Sequence, residues 1–136
     1  MVRGRRQLKL SPIVLQILRF ADSDGVASLP QLLDSLYAHS GTESPDSFLA
    51  AAERALRKCC RLGYLGLDRV SNGERRWFTV QEVENLSLGD LVWWNSEVGR
   101  WDGRWSELEI DGLLIQLTRG AVEDLALVEE RSRRGQ

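Results

Sequence analysis

The sequence predicts an α+β fold: three short helices, then a β-hairpin, then a tryptophan-rich β stretch. Three observations carry that expectation. Across residues 44–65, apolar side chains at Phe48, Ala52, Ala55, Cys59 and Leu62 fall at steps of four and three, the mark of one buried helical face. After Gly63 the apolar spacing becomes alternating, as in a strand. Asn72-Gly73, the strongest short hairpin signal, then separates two strand-like runs.

The rest of the chain is organised around residues 44–65. Ser44 is a candidate N-cap, and Pro45 occupies the first helical position, where its missing N–H costs nothing. Asp46 adds a negative charge where the helix dipole favours one. Leu49, Leu56 and Cys60 widen the apolar face, while Arg54, Arg57, Lys58 and Arg61 repeat its spacing on another side. Gly63 ends the helix, because glycine takes the left-handed C′ conformation at little cost. One helix thus offers a core side and a cationic side.

With 136 residues, 43% hydrophobic and 28% charged, the chain suits one ordinary domain or two very small ones, soluble and globular. Its apolar runs are too short for a membrane span. The basic-then-apolar N-terminus is interrupted by Gln16 and Arg19 without a small-residue cleavage site, which argues against a signal peptide and makes cytoplasmic residence the expectation. Cys59 and Cys60 are neighbours on a helix and point about 100° apart, which disfavours a disulfide between them. One histidine and no CxxC leave no zinc signature.

Charge is uneven. Residues 1–80 carry 12 Lys+Arg against 8 Asp+Glu, a balance of +4, and residues 81–136 carry 6 against 12, a balance of −6. Either the first half alone faces a polyanion, or the asymmetry is chance in a small chain. The first nine residues hold Arg3, Arg5, Arg6 and Lys9 without an apolar period. They read either as an arm for phosphates or a minor groove, or as a solubilising end.

Ser11-Pro12 repeats the cap-plus-proline opening, and Ile13, Ile17 and Phe20, flanked by Val14, Leu18 and Ala21, give the first helix its apolar face. Asp22 to Gly25 breaks it. Ser28 caps a second helix through Ala38, with Leu29, Leu32, Leu33, Leu36 and Tyr37 facing inward. Helices this short must pack on one another. Residues 64–70 and 74–80 read as the two strands of the hairpin. Thr79 and Glu82 have the spacing of a capping box for a short turn or helix through Leu86.

This order, with the run ALRKCCRLGYLGLDRVSNGERRWFTV, resembles a winged helix-turn-helix domain over roughly residues 10–80: end of recognition helix, glycine stop, strand, wing tip and return strand. The resemblance implies double-stranded DNA binding by a small transcriptional regulator, with the third helix in the major groove and the wing on the backbone. Carried over, Arg54, Arg57, Lys58 and Arg61 lie on the third helix, and Arg75 and Arg76 flank the wing tip. Guanidinium forks bond guanine edges or phosphate oxygens two at a time. Thr42, Ser44 and Ser47 sit at the helix N-terminus, where phosphate is attracted. Phe48 to Ala51 place few base-reading groups in the first turns, so the cations favour phosphate contact. The family also includes members that bind only protein, which makes a protein–protein adaptor the alternative.

A second module is expected over residues 87–136, after a winged-helix domain with its basic arm over residues 1–86. Residues 88–131 hold β-prone runs bounded by Asp102-Gly103, Asp111-Gly112 and Arg119-Gly120, and resemble a small SH3-like or Tudor-like barrel. Trp105 falls out of phase with Leu108 and Ile110 unless Asp102-Gly103 makes a bulge. Residues 121–131 suit a strand or a helix. Trp93, Trp94, Trp101 and Trp105 either fill the core of this module or bind a partner, a second copy of the chain included.

No phosphate loop, serine elbow or metal cluster is present in the sequence, so neither an enzyme nor a cofactor is expected. His39, near the end of the second helix, is expected either to carry a positive charge that suits the dipole or to cap carbonyls as a neutral ring, and the cysteines to act as small hydrophobes.

Overall fold

A computed structural model describes residues 11–24, 26–41 and 44–118, together with Glu123, Ala126, Leu127 and Glu130. The basic arm, Thr42 and most of residues 119–136 lie outside the described residues. The four isolated positions are helical; the rest of residues 121–131, for which a strand or a helix is expected, lies outside the described residues.

The chain is α+β. Its elements run α1 (Pro12–Asp24), β1 (Val26–Ser28), α2 (Leu29–Ala38), α3 (Pro45–Arg61), β2 (Leu65–Ser71), β3 (Glu74–Trp77), α4 (Val80–Glu84), β4 (Val92–Asn95), β5 (Arg100–Gly103), α5 (Trp105–Leu108) and β6 (Gly112–Leu117). The caps fall where the sequence puts them. The Ser28 hydroxyl accepts the Gln31 N–H at 3.3 Å, and that of Ser44 accepts the Ser47 N–H at 3.3 Å. Thr79 and Glu82 close a reciprocal box, Glu82 N–H to Thr79 at 3.1 Å and Thr79 N–H to Glu82 at 2.9 Å. Asn72 and Gly73 both take positive φ, 53° and 80°, which a tight hairpin turn requires.

Three helices pack on one face of a four-stranded sheet ordered β1-β6-β2-β3. Ile17, Leu32, Leu33 and Leu56 from the helices, and Leu113 and Ile115 from β6, are all at most 1% exposed. The return strand of the hairpin is shorter than expected and ends at Trp77. Its place beside β2 is at the sheet edge. The central position goes to β6, which pairs antiparallel with β2 from Leu65↔Leu117 to Val70↔Gly112 and with β1 from Val26↔Gln116 to Ser28↔Leu114.

That pairing corrects the division expected at residue 86. β6 comes from the second half, yet it supplies the backbone partners of two strands from the first, and one apolar cluster spans both halves. The barrel expected over residues 88–131 does not form among the described residues. β4 and β5 make a two-stranded hairpin, and β6 joins the other sheet. Residues 105–108 form a helical turn, not a strand, which accounts for the phase of Trp105. Its ring lies over Gly103, where a Cβ would collide with it.

The β4–β5 hairpin is docked by aromatic packing and one buried-facing carboxylate. Trp101, 2% exposed, stacks within 6.0 Å of Tyr37, Phe48 and Trp94. Asp34 on α2 accepts the Trp101 N–H at 2.7 Å. Burial raises the Asp34 pKa, partly opposed by that hydrogen bond.

Ile115→Ala, at the centre of β6, is expected to cost about 2–5 kcal/mol by chemical denaturation. A fragment of residues 1–86 lacks the strand between β1 and β2 and shows no cooperative thermal transition; a sharp one would restore the two-domain division.

Candidate nucleic-acid interface

The exposed side of α3 is a stripe running Ser47, Ala50, Arg54, Lys58, Arg61. Those positions are three or four apart, so they share one face, opposite the buried Phe48, Ala52, Ala55, Leu56 and Cys59. Ala50 and Ala51 add little bulk, leaving the helix backbone open to close approach. Ser44 and Ser47 are exposed at its N-terminus, with the Ser44 oxygen already engaged in capping.

Six cations are predicted for this surface, and the structure divides them. Arg54 and Lys58 are exposed and make no ion pair or hydrogen bond among the described residues. They border a shallow recess with Ser11, Ile13 and Val14. Ser11 is the first described residue after the basic run of residues 1–9.

Arg57 is turned away from the stripe. Its Nη2 donates to the Leu86 carbonyl at 2.7 Å and to Glu53 Oε2 at 3.2 Å. The other Glu53 oxygen accepts the Leu88 N–H at 2.8 Å. Arg57 and Glu53 together tie α3 to the chain that follows α4. At 22% and 26% side-chain exposure they are a structural pair, not a free contact surface.

The remaining three arginines are paired with carboxylates. Arg61 grips Glu84 through Nε at 2.8 Å and Nη2 at 2.6 Å. Arg76 grips Glu82 in the same forked way, at 3.1 and 3.2 Å. Arg75 caps Asp68, which is 2% exposed in β2, through Nε at 2.6 Å and through Nη2 as well. These carboxylates are scattered through residues 53–84, and no periodicity in the sequence links them to their partners. The only local signals are Glu53, one turn before Arg57, and the capping-box residue Glu82.

The pairs leave their mark on titration. Hydrogen bonds from Arg76 and from the Thr79 backbone hold the Glu82 carboxyl at about 2, against an ordinary 4.5. The hydrogen bond from Arg61 lowers that of Glu84. Burial pushes the Cys59 thiol up to about 12 and that of Cys60 to about 11, so neither is a thiolate near neutral pH. His39 Nδ1 lies 2.8 Å from the Ser35 carbonyl, the capping contact its position suggests. Among the described residues no group of three His, Cys, Asp or Glu side chains is arranged to hold a metal, and no helix is long and apolar enough to cross a membrane.

The tryptophans named as partner contacts are mostly committed elsewhere. Trp101 is buried, Trp94 packs against it and Tyr37 at 5.3 and 5.0 Å, and Trp105 is half-buried over Gly103. Trp93 is exposed at 39%. The most exposed tryptophan is Trp77, at 53%, which the sequence marks only as a strand residue. Its ring lies on Gly66, where a Cβ would collide with it, and it borders a concavity of about 310 Å³ with Cys60, Phe78, Val80 and Val83.

Scans against protein-family models, curated proteins and solved structures found no match to this chain.

Arg57→Ala removes a partner from a partly buried carboxylate and a carbonyl. It costs about 1–3 kcal/mol in urea unfolding, whereas Lys58→Ala stays within about 0.5 kcal/mol. Because the folded-state pKa of Glu82 is depressed, its contribution to stability is complete above pH 4.5 and is lost as pH falls toward about 2. Glu82→Gln removes that part of the acid-side slope in a pH series of melting temperatures.

Proposed function

We propose that this chain is a cytoplasmic winged-helix protein that binds double-stranded DNA as a small transcriptional regulator, with α3 entering the major groove and the β2–β3 hairpin beside the backbone. The single observation that carries the reading is the exposed stripe of α3, in which Arg54 and Lys58, unpaired among the described residues, stand one turn apart beyond Ser47 and Ala50. The order helix, strand, helix, helix, hairpin supports the scaffold. The four cations of residues 1–9 add charge to the same half of the chain, and Ser11, the first described residue after them, borders the recess with Arg54 and Lys58. Arg57 is a structural residue in this scheme, and Arg61, Arg75 and Arg76 are neutralised. Phosphate contact therefore dominates over base reading.

A second reading, a protein–protein adaptor on the same scaffold, is favoured by the apolar concavity beside Trp77, with Val80 80% exposed at its rim.

Fluorescence anisotropy on a random duplex of about 20 base pairs, over a salt series, separates the two. The double reversal Arg54→Glu with Lys58→Glu weakens binding by about tenfold or more near 0.1 M salt and flattens the salt slope by about 1 for each phosphate left without its cation. Unchanged affinity in the double variant contradicts the α3 reading. Loss of a protein complex on Trp77→Ala, with no duplex retained by the native chain, would favour the adaptor.

A further inference from the structure

Neutralised arginines on a surface read as DNA-binding call for an account of what neutralises them. Glu82 and Glu84 lie two residues apart on α4, a helix of five residues with no buried side chain. Glu84 reaches Arg61 on α3, and Glu82 reaches Arg76 on β3. Each contact is a forked guanidinium–carboxylate pair, the geometry by which arginine also grips phosphate. Both pairs are at the surface, with side-chain exposures of 55% and 39% for Arg61 and Glu84, and 54% and 32% for Arg76 and Glu82. Water and competing anions reach them, so each is exchangeable. Arg57 reinforces the arrangement by fixing the chain just beyond α4 at Leu86, which keeps α4 beside α3.

We propose that α4 is a built-in phosphate mimic that restrains duplex binding: Glu82 and Glu84 occupy Arg76 and Arg61 in place of backbone phosphates, and a duplex that displaces them engages both arginines. The inference rests on the DNA-binding reading of α3 and concerns the regulation of that same surface. In the closed arrangement the cations of α3 that meet phosphate are Arg54 and Lys58. In the open arrangement Arg61 extends their stripe by one turn, and Arg76 reaches the backbone from the hairpin. The Arg57–Glu53 pair and the Asp68–Arg75 pair stay closed in both, since Glu53 also holds the Leu88 N–H and Asp68 is buried.

The test is anisotropy of a random duplex of about 20 base pairs with the full chain, comparing the native protein with Glu82→Gln plus Glu84→Gln. Glutamine at position 82 keeps the capping box, so α4 retains its helix start. Glu97→Gln plus Glu109→Gln, at exposed sites away from α3, makes the same change in net charge and serves as the control. The clasp predicts that the first variant binds about tenfold tighter near 0.1 M salt, with a log–log salt slope steeper by about 1.8, the value for two more phosphates. It also predicts that adding Arg61→Gln and Arg76→Gln cancels the gain, and that the control moves far less. Native and clasp-free proteins binding duplex with equal affinity and slope would overturn the clasp and leave the α3 reading standing. A gain matched by the control would overturn it too, as a net-charge effect. No duplex binding by either protein at low salt would overturn both.

Discussion

The backbone hydrogen bonds of β6 hold the rest of the molecule in place. Six residues near the end of the described chain insert between β1 and β2, pairing with one from residues 26–28 and with the other from residues 65–70. Everything between β2 and β6 is thereby a long excursion whose two ends are fixed side by side in one sheet. Its parts must lie against the body they leave and rejoin. α4 settles beside the end of α3, and the β4–β5 hairpin settles on α2, where Trp101 closes the aromatic cluster and Asp34 holds its N–H. A chain that left β3 for an independent second domain would have no such obligation.

This excursion determines the charge pattern of the proposed interface. Its acidic residues are delivered to the cationic flank of α3 and to the hairpin, so a surface that looks basic in sequence is mixed in three dimensions. Burial sorts the resulting pairs. Asp68 and Arg57 are committed to the fold, because leaving either without its partner strands a poorly solvated polar group. Arg61 and Arg76 stand at the rim, where solvent screens their pairs and leaves them exchangeable. Arg54 and Lys58 reach solvent unopposed among the described residues, whereas Arg61, one turn on along the same stripe, meets Glu84 of the excursion.

The local grammar of the fold is legible in the sequence. The caps at Ser28, Ser44 and Thr79, the Asn72-Gly73 turn and the buried face of α3 all depend on neighbours within a few residues, and the structure has each at the expected position except Leu62, expected on that face, which follows the last helical residue and is 48% exposed. Long-range pairing is not legible. Nothing in Leu113 to Leu117 distinguishes a strand of a second module from the missing centre of the first sheet, since its alternation suits both. Trp105 breaks the strand phase and does signal trouble, but the remedy is a helical turn over Gly103 instead of a bulge. For the eight residues proposed for DNA contact, placement on α3 or the hairpin is readable, whereas most of their partners are not, Glu53 one turn before Arg57 being the exception. Glu84 lies 23 residues from Arg61 and shares no pattern with it.

The proposal that the Ser47–Lys58 stripe of α3 meets nucleic acid is tested most directly by backbone amide NMR of the full chain titrated with a short duplex. The largest shift changes are expected at Ser47, Ala50, Ala51, Arg54 and Lys58, with the Trp101 region unmoved. Shifts confined to Trp77, Phe78 and Val80, or none at all on α3, would contradict it.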